Sequence, residues 1–235
     1  MSTKNILDPY SGSLSAVQIA EGMNAARLNA KRLIEDAKIL LASDRVPTAL
    51  SLAILAIEEA GKLPILRYLS IAEDDQERRS TWKDYRSHTK KNLLWILPDL
   101  VVKGLQSAHE FSSAVFDESS DHGALLDSLK QIGFYTDCLG KAHWSIPTEV
   151  INVDLAKSIL RVAEILSGDR EITPMEIELY AKYLKPARYS SHAMQEATIR
   201  WHKALEARGL IAESKMEEFY KSGIGALGRP RRRPN

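Results

Sequence analysis

Apolar residues recur at three- and four-residue steps along nearly the whole chain, and no run alternates between apolar and polar positions. That pattern predicts helices and gives a sheet little support. A first helix is expected from Ser13 or Ser15 to about residue 43, with Val17, Ala20, Leu28, Leu33 and Ala37 on its core-facing stripe. A second, from Pro47 to about residue 72, is apolar almost all round until Glu58, as a central helix covered on several sides would be. Pro64 falls inside it and predicts a kink. The stretch AEDDQERRS reads as a polar connection, with Thr81 and Asp84 as a capping box opening the next helix through His88. Further helices are expected at 124–143 and 152–166. Thr173-Pro174 with Glu176 is a strong helix start, opening a segment at 174–184 that is followed by two more near 190–208 and 212–221. The fold class is all-α.

Short connections favour antiparallel neighbours. The chain divides into an N-terminal extension (1–14), a helical domain (15–168), a C-terminal helical layer (169–223) and a disordered Arg/Pro tail (224–235). Composition narrows the class. At 44% hydrophobic and 27% charged, 235 residues suit a folded soluble protein. The lone Cys138 excludes an internal disulfide and a multi-cysteine zinc site, and suits a reducing compartment. No apolar run approaches the ~18 residues of a membrane span, and the start lacks a secretory pattern. The expectation is a cytoplasmic protein with no membrane partner. The net charge is +1, but Arg229, Arg231, Arg232 and Arg233 sit in the last seven residues, so the body is slightly acidic. A globally basic nucleic-acid binder is not expected, which leaves room only for a local basic groove.

Four clusters carry candidate chemistry. In Glu58-Glu59-Ala60-Gly61-Lys62, Glu58 and Lys62 have the i,i+4 spacing of a helix ion pair, but they follow directly on a buried turn. Charges leave water only with partners, and Gly61 permits close approach of a backbone or ligand. In Tyr85-Arg86-Ser87-His88-Thr89-Lys90-Lys91-Asn92, His88 and Lys91 share a helix face; the set suits a phosphate, though taken alone a solvated basic face with a core-anchored histidine is the commoner arrangement. Tyr135 and Asp137, leading to Trp144 and Pro147, form an aromatic segment whose bland reading is packing. Gly22 and Asn24 interrupt helix propensity in the first helix, so a contact or hydrogen bond should compensate. No phosphate-binding glycine loop, GxSxG, HExxH or Glu-x-x-His occurs. No metal and no cofactor are expected.

In this order, Gly22-x-Asn24-Ala25, Glu58-Glu59-Ala60-Gly61-Lys62, His88-x-x-Lys91, Phe134-Tyr135-x-Asp137 and Trp144-x-x-Pro147 resemble the AbiV-type abortive infection proteins of the HEPN superfamily. The resemblance implies a HEPN-like antiparallel helical bundle and an antiphage effector that shuts down host or phage translation. It further implies a homodimer, activation by a phage protein, and RNA as a target. Many HEPN relatives are ribonucleases with an Arg-x(4–6)-His motif. Here the permitted positions before His88 hold Lys83, Trp82 and Thr81, and no other histidine satisfies the spacing. Two readings stay open. In one, a metal-independent ribonuclease uses His88 as base, Glu58 or Glu59 to orient it, and Lys91 or Lys62 on the phosphorane, with Arg86, Lys90, Asn24, Tyr135 and Asp137 contacting RNA or ligand. In the other, a non-catalytic module binds a phage protein or nucleotide and the charges are structural.

Overall fold

The computed structural model describes residues 8–92, 121–212 and 217–218. Helix α1 (Ala16–Ala42) begins at Ser15, where the full capping box forms: Ser15 accepts the Gln18 N–H and the Gln18 side chain accepts the Ser15 N–H. It ends with Asp44 in the left-handed region (φ 59°), so that the Arg45 N–H reaches the Leu40 carbonyl. That three-residue connection folds α2 (Val46–Leu69) back along α1. The buried stripe of α1 is Met23, Ala26, Ala30, Leu33, Ile34 and Ala37; Val17 and Leu28 face outward, which rotates the expected stripe.

Helix α2 is the central element and runs unbroken through Pro64. Leu50, Ala53, Ile54 and Ile57 meet α1 on one side. On the others they meet α5 (His122–Phe134) through Leu126 and α7 (Val153–Ser167) through Ile159 and Leu160. Each such Ile or Leu contributes about 1.5–3 kcal/mol by leaving water.

Two expected boundaries move. Helix α3 (Asp75–Arg86) starts inside the stretch read as a connection, because Asp74 accepts the Glu77 N–H at 2.8 Å. Thr81 is mid-helix and buried, its hydroxyl donating to the Glu77 carbonyl. The chain then breaks at Ser87, whose extended backbone ends α3 and whose hydroxyl caps a one-turn helix, α4 (His88–Lys91). The other change follows α5. The aromatic segment expected as its continuation is a hairpin, β1 (Asp137–Leu139) against β2 (His143–Ser145), with Cys138 opposite Trp144. Cys138 is exposed rather than a buried thiol. This two-stranded pair leaves the all-α class intact. A short α6 (Pro147–Val150) leads into α7.

Helices α8 (Pro174–Leu184) and α9 (Ser191–Glu206) form the added layer, packing Leu179, Leu184, Trp201 and Leu205 together with Ile71 from the end of α2. Among the described residues no helix is long and apolar enough to cross a membrane. The continuation of the helix expected through His88, most of the last helix and the Arg/Pro tail lie outside the described residues.

Candidate functional site

Glu58 sits on the buried side of α2 at 3% exposure, and a carboxylate there requires partners. Two glycines bring them. A Cβ on Gly61 would stand 1.8 Å from the Lys91 carbonyl oxygen, and one on Gly123 would stand 2.8 Å from that of Thr89. The α4 turn is therefore wedged between α2 and α5 at a distance only glycine permits. That wedge delivers His88: its Nδ1 lies 2.6 Å from Glu58 Oε2. With the carboxylate as acceptor, Nδ1 is the donor of this hydrogen bond, and Nε2 is the ring nitrogen that Glu58 does not engage. The imidazole side chain is 55% exposed while Glu58 is buried behind it.

Two lysines complete the carboxylate. Lys130 of α5 places Nζ 2.6 Å from Glu58 Oε1, 2.7 Å from Asp127 Oδ1 and 3.4 Å from His88 Nδ1. Lys91 Nζ stands 3.6 Å from Glu58 Oε2. Both side chains are almost fully buried, yet they titrate in opposite directions. Burial pushes Lys91 below its ordinary value, and the pull of Glu58 does not fully offset it. At Lys130 burial acts the same way, but hydrogen bonds to Asp127 and Glu58 outweigh it and hold the ammonium charged.

The other expected residues divide. Lys62 pairs with Glu59 at 2.6 Å, not with Glu58, and lies 5.4 Å above the Tyr85 ring. This i,i+3 pair adjoins the cluster, and its charges reach Lys91. Lys90 is exposed beside His88. A cavity of about 500 Å³ opens here between α2, α3 and α4, lined by Gly61, Tyr68, Asp84, Lys90, Lys91 and, from α8, Tyr180. Arg86 is engaged elsewhere, donating to the Trp82 and Tyr10 carbonyls and lying over the Trp82 ring. Asn24 clasps the backbone of Ile172, donating to its carbonyl at 2.7 Å and accepting its N–H at 3.0 Å. That contact compensates for an asparagine in mid-helix. A Cβ added to Gly22 would meet Leu66 at an ordinary 3.6 Å, so no close approach demands glycine there. Tyr135 is exposed, and the Asp137 carboxylate accepts the Cys138 N–H; neither bonds to the Glu58 group.

Sequence reasoning missed Lys130 and Asp127. Leu126 and Lys130 lie one turn apart on α5, and Leu126 is wholly buried. A lysine on an apolar face, three residues after an aspartate, was the signal available.

The donor set Glu58, His88 and Asp127 lies within 4.8 Å, near enough to share one cation. In the protein that cation is the Lys130 ammonium. Chemically, the arrangement is a buried carboxylate orienting a half-exposed imidazole, which suits proton transfer at the surface.

No curated protein matches the chain, and no solved structure does. A family model does, over residues 18–168, a span that runs from the first turn of α1 to the end of α7 and holds every member of the Glu58 cluster. The helical fold and that match together establish the chain as a member of the AbiV family of HEPN proteins.

Proposed function

We propose that this protein is an abortive-infection effector that stops translation by cleaving RNA, with His88 as general base and Glu58 as the group that orients it. The 2.6 Å contact between a buried carboxylate and an imidazole open on its other side carries the reading. His88 Nε2 takes the proton of a ribose 2′-hydroxyl, the freed oxygen attacks the adjacent phosphorus, and the 5′-oxygen of the next nucleotide leaves with a proton from solvent. The products are a 2′,3′-cyclic phosphate and a 5′-hydroxyl. Lys90 and Lys62 are the cations available to the phosphorane. Lys91 and Lys130, turned to Glu58, act on the base instead. Tyr135 offers a ring for a stacked base.

One observation favours a second reading. Both buried lysines are directed at Glu58, and no arginine holds the usual HEPN position, so a binding module with a structural charge network fits the same geometry. Purified protein incubated with total RNA in EDTA separates the two. Cleavage with cyclic-phosphate ends, lost in His88→Ala, is expected. Intact RNA from protein that still protects cells leaves the binding module. The effector works in the cytoplasm as a homodimer triggered by a phage protein. Light scattering that gives only a 26.3 kDa species would remove the dimer.

A further inference from the structure

Glu58, His88 and Asp127 come from three different helices and converge on one point. Two carboxylates and an imidazole make a donor set that first-row divalent metals favour. At their centre lies an ammonium. Lys130 Nζ is 2.6 Å from one carboxylate, 2.7 Å from the other and 3.4 Å from the imidazole Nδ1, so it stands against all three groups. Its side chain is only 6% exposed, so the ammonium is held inside the group rather than at its rim.

We propose that Lys130 is the resident cation of this centre, holding the place a divalent transition metal takes among the same donors, and that removing its ammonium turns the centre into a metal site. Counting Lys91, the two carboxylates and two lysines balance in formal charge. Deleting Lys130 leaves one uncompensated negative charge in a largely buried site, a strong demand for a cation. The geometric step is small. Zinc takes oxygen at about 2.0–2.2 Å and imidazole nitrogen at about 2.0–2.1 Å, so the carboxylates close by about 0.5 Å and the ring by about 1.3 Å. Asp127, a third exposed, is the side from which an ion enters. In the wild-type protein Lys130 then does the bridging that an ion would do between Glu58 and Asp127. The inference concerns the same residues as the ribonuclease reading but stands without it, because its test reads metal binding and not RNA cleavage.

The test uses the full chain with Zn²⁺ in calorimetry and Co²⁺ as a spectroscopic probe. Lys130→Met and Lys130→Gln are expected to take up one ion per chain at least ~100-fold more tightly than wild type, with a Co²⁺ ligand-field band that wild type lacks. Lys130→Arg keeps the charge and gains nothing. Glu58→Gln in the Lys130→Met background abolishes the gain, which assigns the ion to this centre. Wild-type protein that binds one equivalent through His88 as tightly as Lys130→Met overturns the proposal, as does a Lys130→Met chain that folds and gains no affinity. If both neutral variants are insoluble, recovery of folded protein by Zn²⁺ during refolding supports it, and failure of that rescue overturns it.

Discussion

Two carboxylates lie deep in this molecule, and their partners differ in kind. Glu176, fully buried at the start of α8, pairs with Arg170 at 2.7 Å and Arg67 at 3.3 Å. The Arg67 guanidinium also lies over the Tyr180 and Trp201 rings. Glu58 is paired instead with a histidine and two lysines. An arginine stays protonated and its planar group suits fixed bidentate or stacked contacts; a lysine or histidine can exchange its proton. The Glu176 group thus fastens the C-terminal layer to α2, while the Glu58 group holds side chains of the kind that exchange protons, one of them, His88, half exposed. Burial alone does not separate a clasp from a site. Partner chemistry does.

The widest separation should come from deleting the carboxylates. Glu176→Ala strands Arg67 in a site whose burial already pushes its guanidinium down, and should cost about 3–5 kcal/mol by urea denaturation. Loss of the α8–α9 layer should show as early proteolysis after residue 168. Glu58→Ala should cost less, about 2–3 kcal/mol, because Lys130 keeps Asp127 and a stranded lysine can release its proton. If Glu58→Ala proves the more damaging, the Glu58 group is the main structural clasp and the contrast fails.

Gly61→Ala tests the wedge without touching a charge. The added methyl meets the Lys91 backbone, so α4 must shift; about 2 kcal/mol and loss of antiphage protection are expected, from thermal melts and plaque counts. Unchanged protection would mean that the His88–Glu58 contact is not used.

Much of this was legible in the sequence, for reasons that also mark where legibility ends. The helical period located the central helix, and Glu58 stood out because a carboxylate followed a run with no polar face. His88, Lys91 and Gly61 were readable because motif order and helix spacing are local properties. Lys130 was not: it lies 72 residues beyond Glu58, and its burial depends on which face of α5 turns inward. The Glu59–Lys62 pairing was misassigned because i+3 and i+4 partners are equally reachable on a helix, and only Glu58's other contacts decide between them. Thr81 suits a cap by its neighbours, but Asp74 wins by fixing the earlier N–H group. The hairpin escaped because three-residue strands carry too little alternation to register.

His88→Ala comes next in size for stability and is the sharpest functional test. The ring is half exposed and Glu58 keeps both lysines, so the loss should stay below about 1 kcal/mol while protection disappears. A cost of several kcal/mol would make His88 part of the scaffold and move the Glu58 group to the clasp side of the comparison.

The smallest expected effect is a pH response of the C-terminal layer. Its second fastening joins the buried Arg188 to Glu77 at 2.7 Å and to Glu73 at 2.8 Å. The Glu73 N–H, and after it Arg188, hold the Glu77 carboxyl below its ordinary value, with burial pulling weakly the other way. A carboxyl lowered by folding binds its proton more readily in the unfolded chain. Its stabilisation is therefore present above the unfolded value, near 4.5, and is lost as pH falls through the folded one. The arginines do not titrate in that range, so this fastening adds no slope at neutral pH. Glu77→Gln should lower stability at pH 7 by a few tenths of a kcal/mol, since the pair is partly solvated and screened by salt, and should flatten the acid limb of the stability curve. A variant whose acid limb runs parallel to wild type would show that Glu77 titrates identically in both states, leaving Arg188 held by Glu73 and by the Ile71 carbonyl, to which it donates at 2.8 Å.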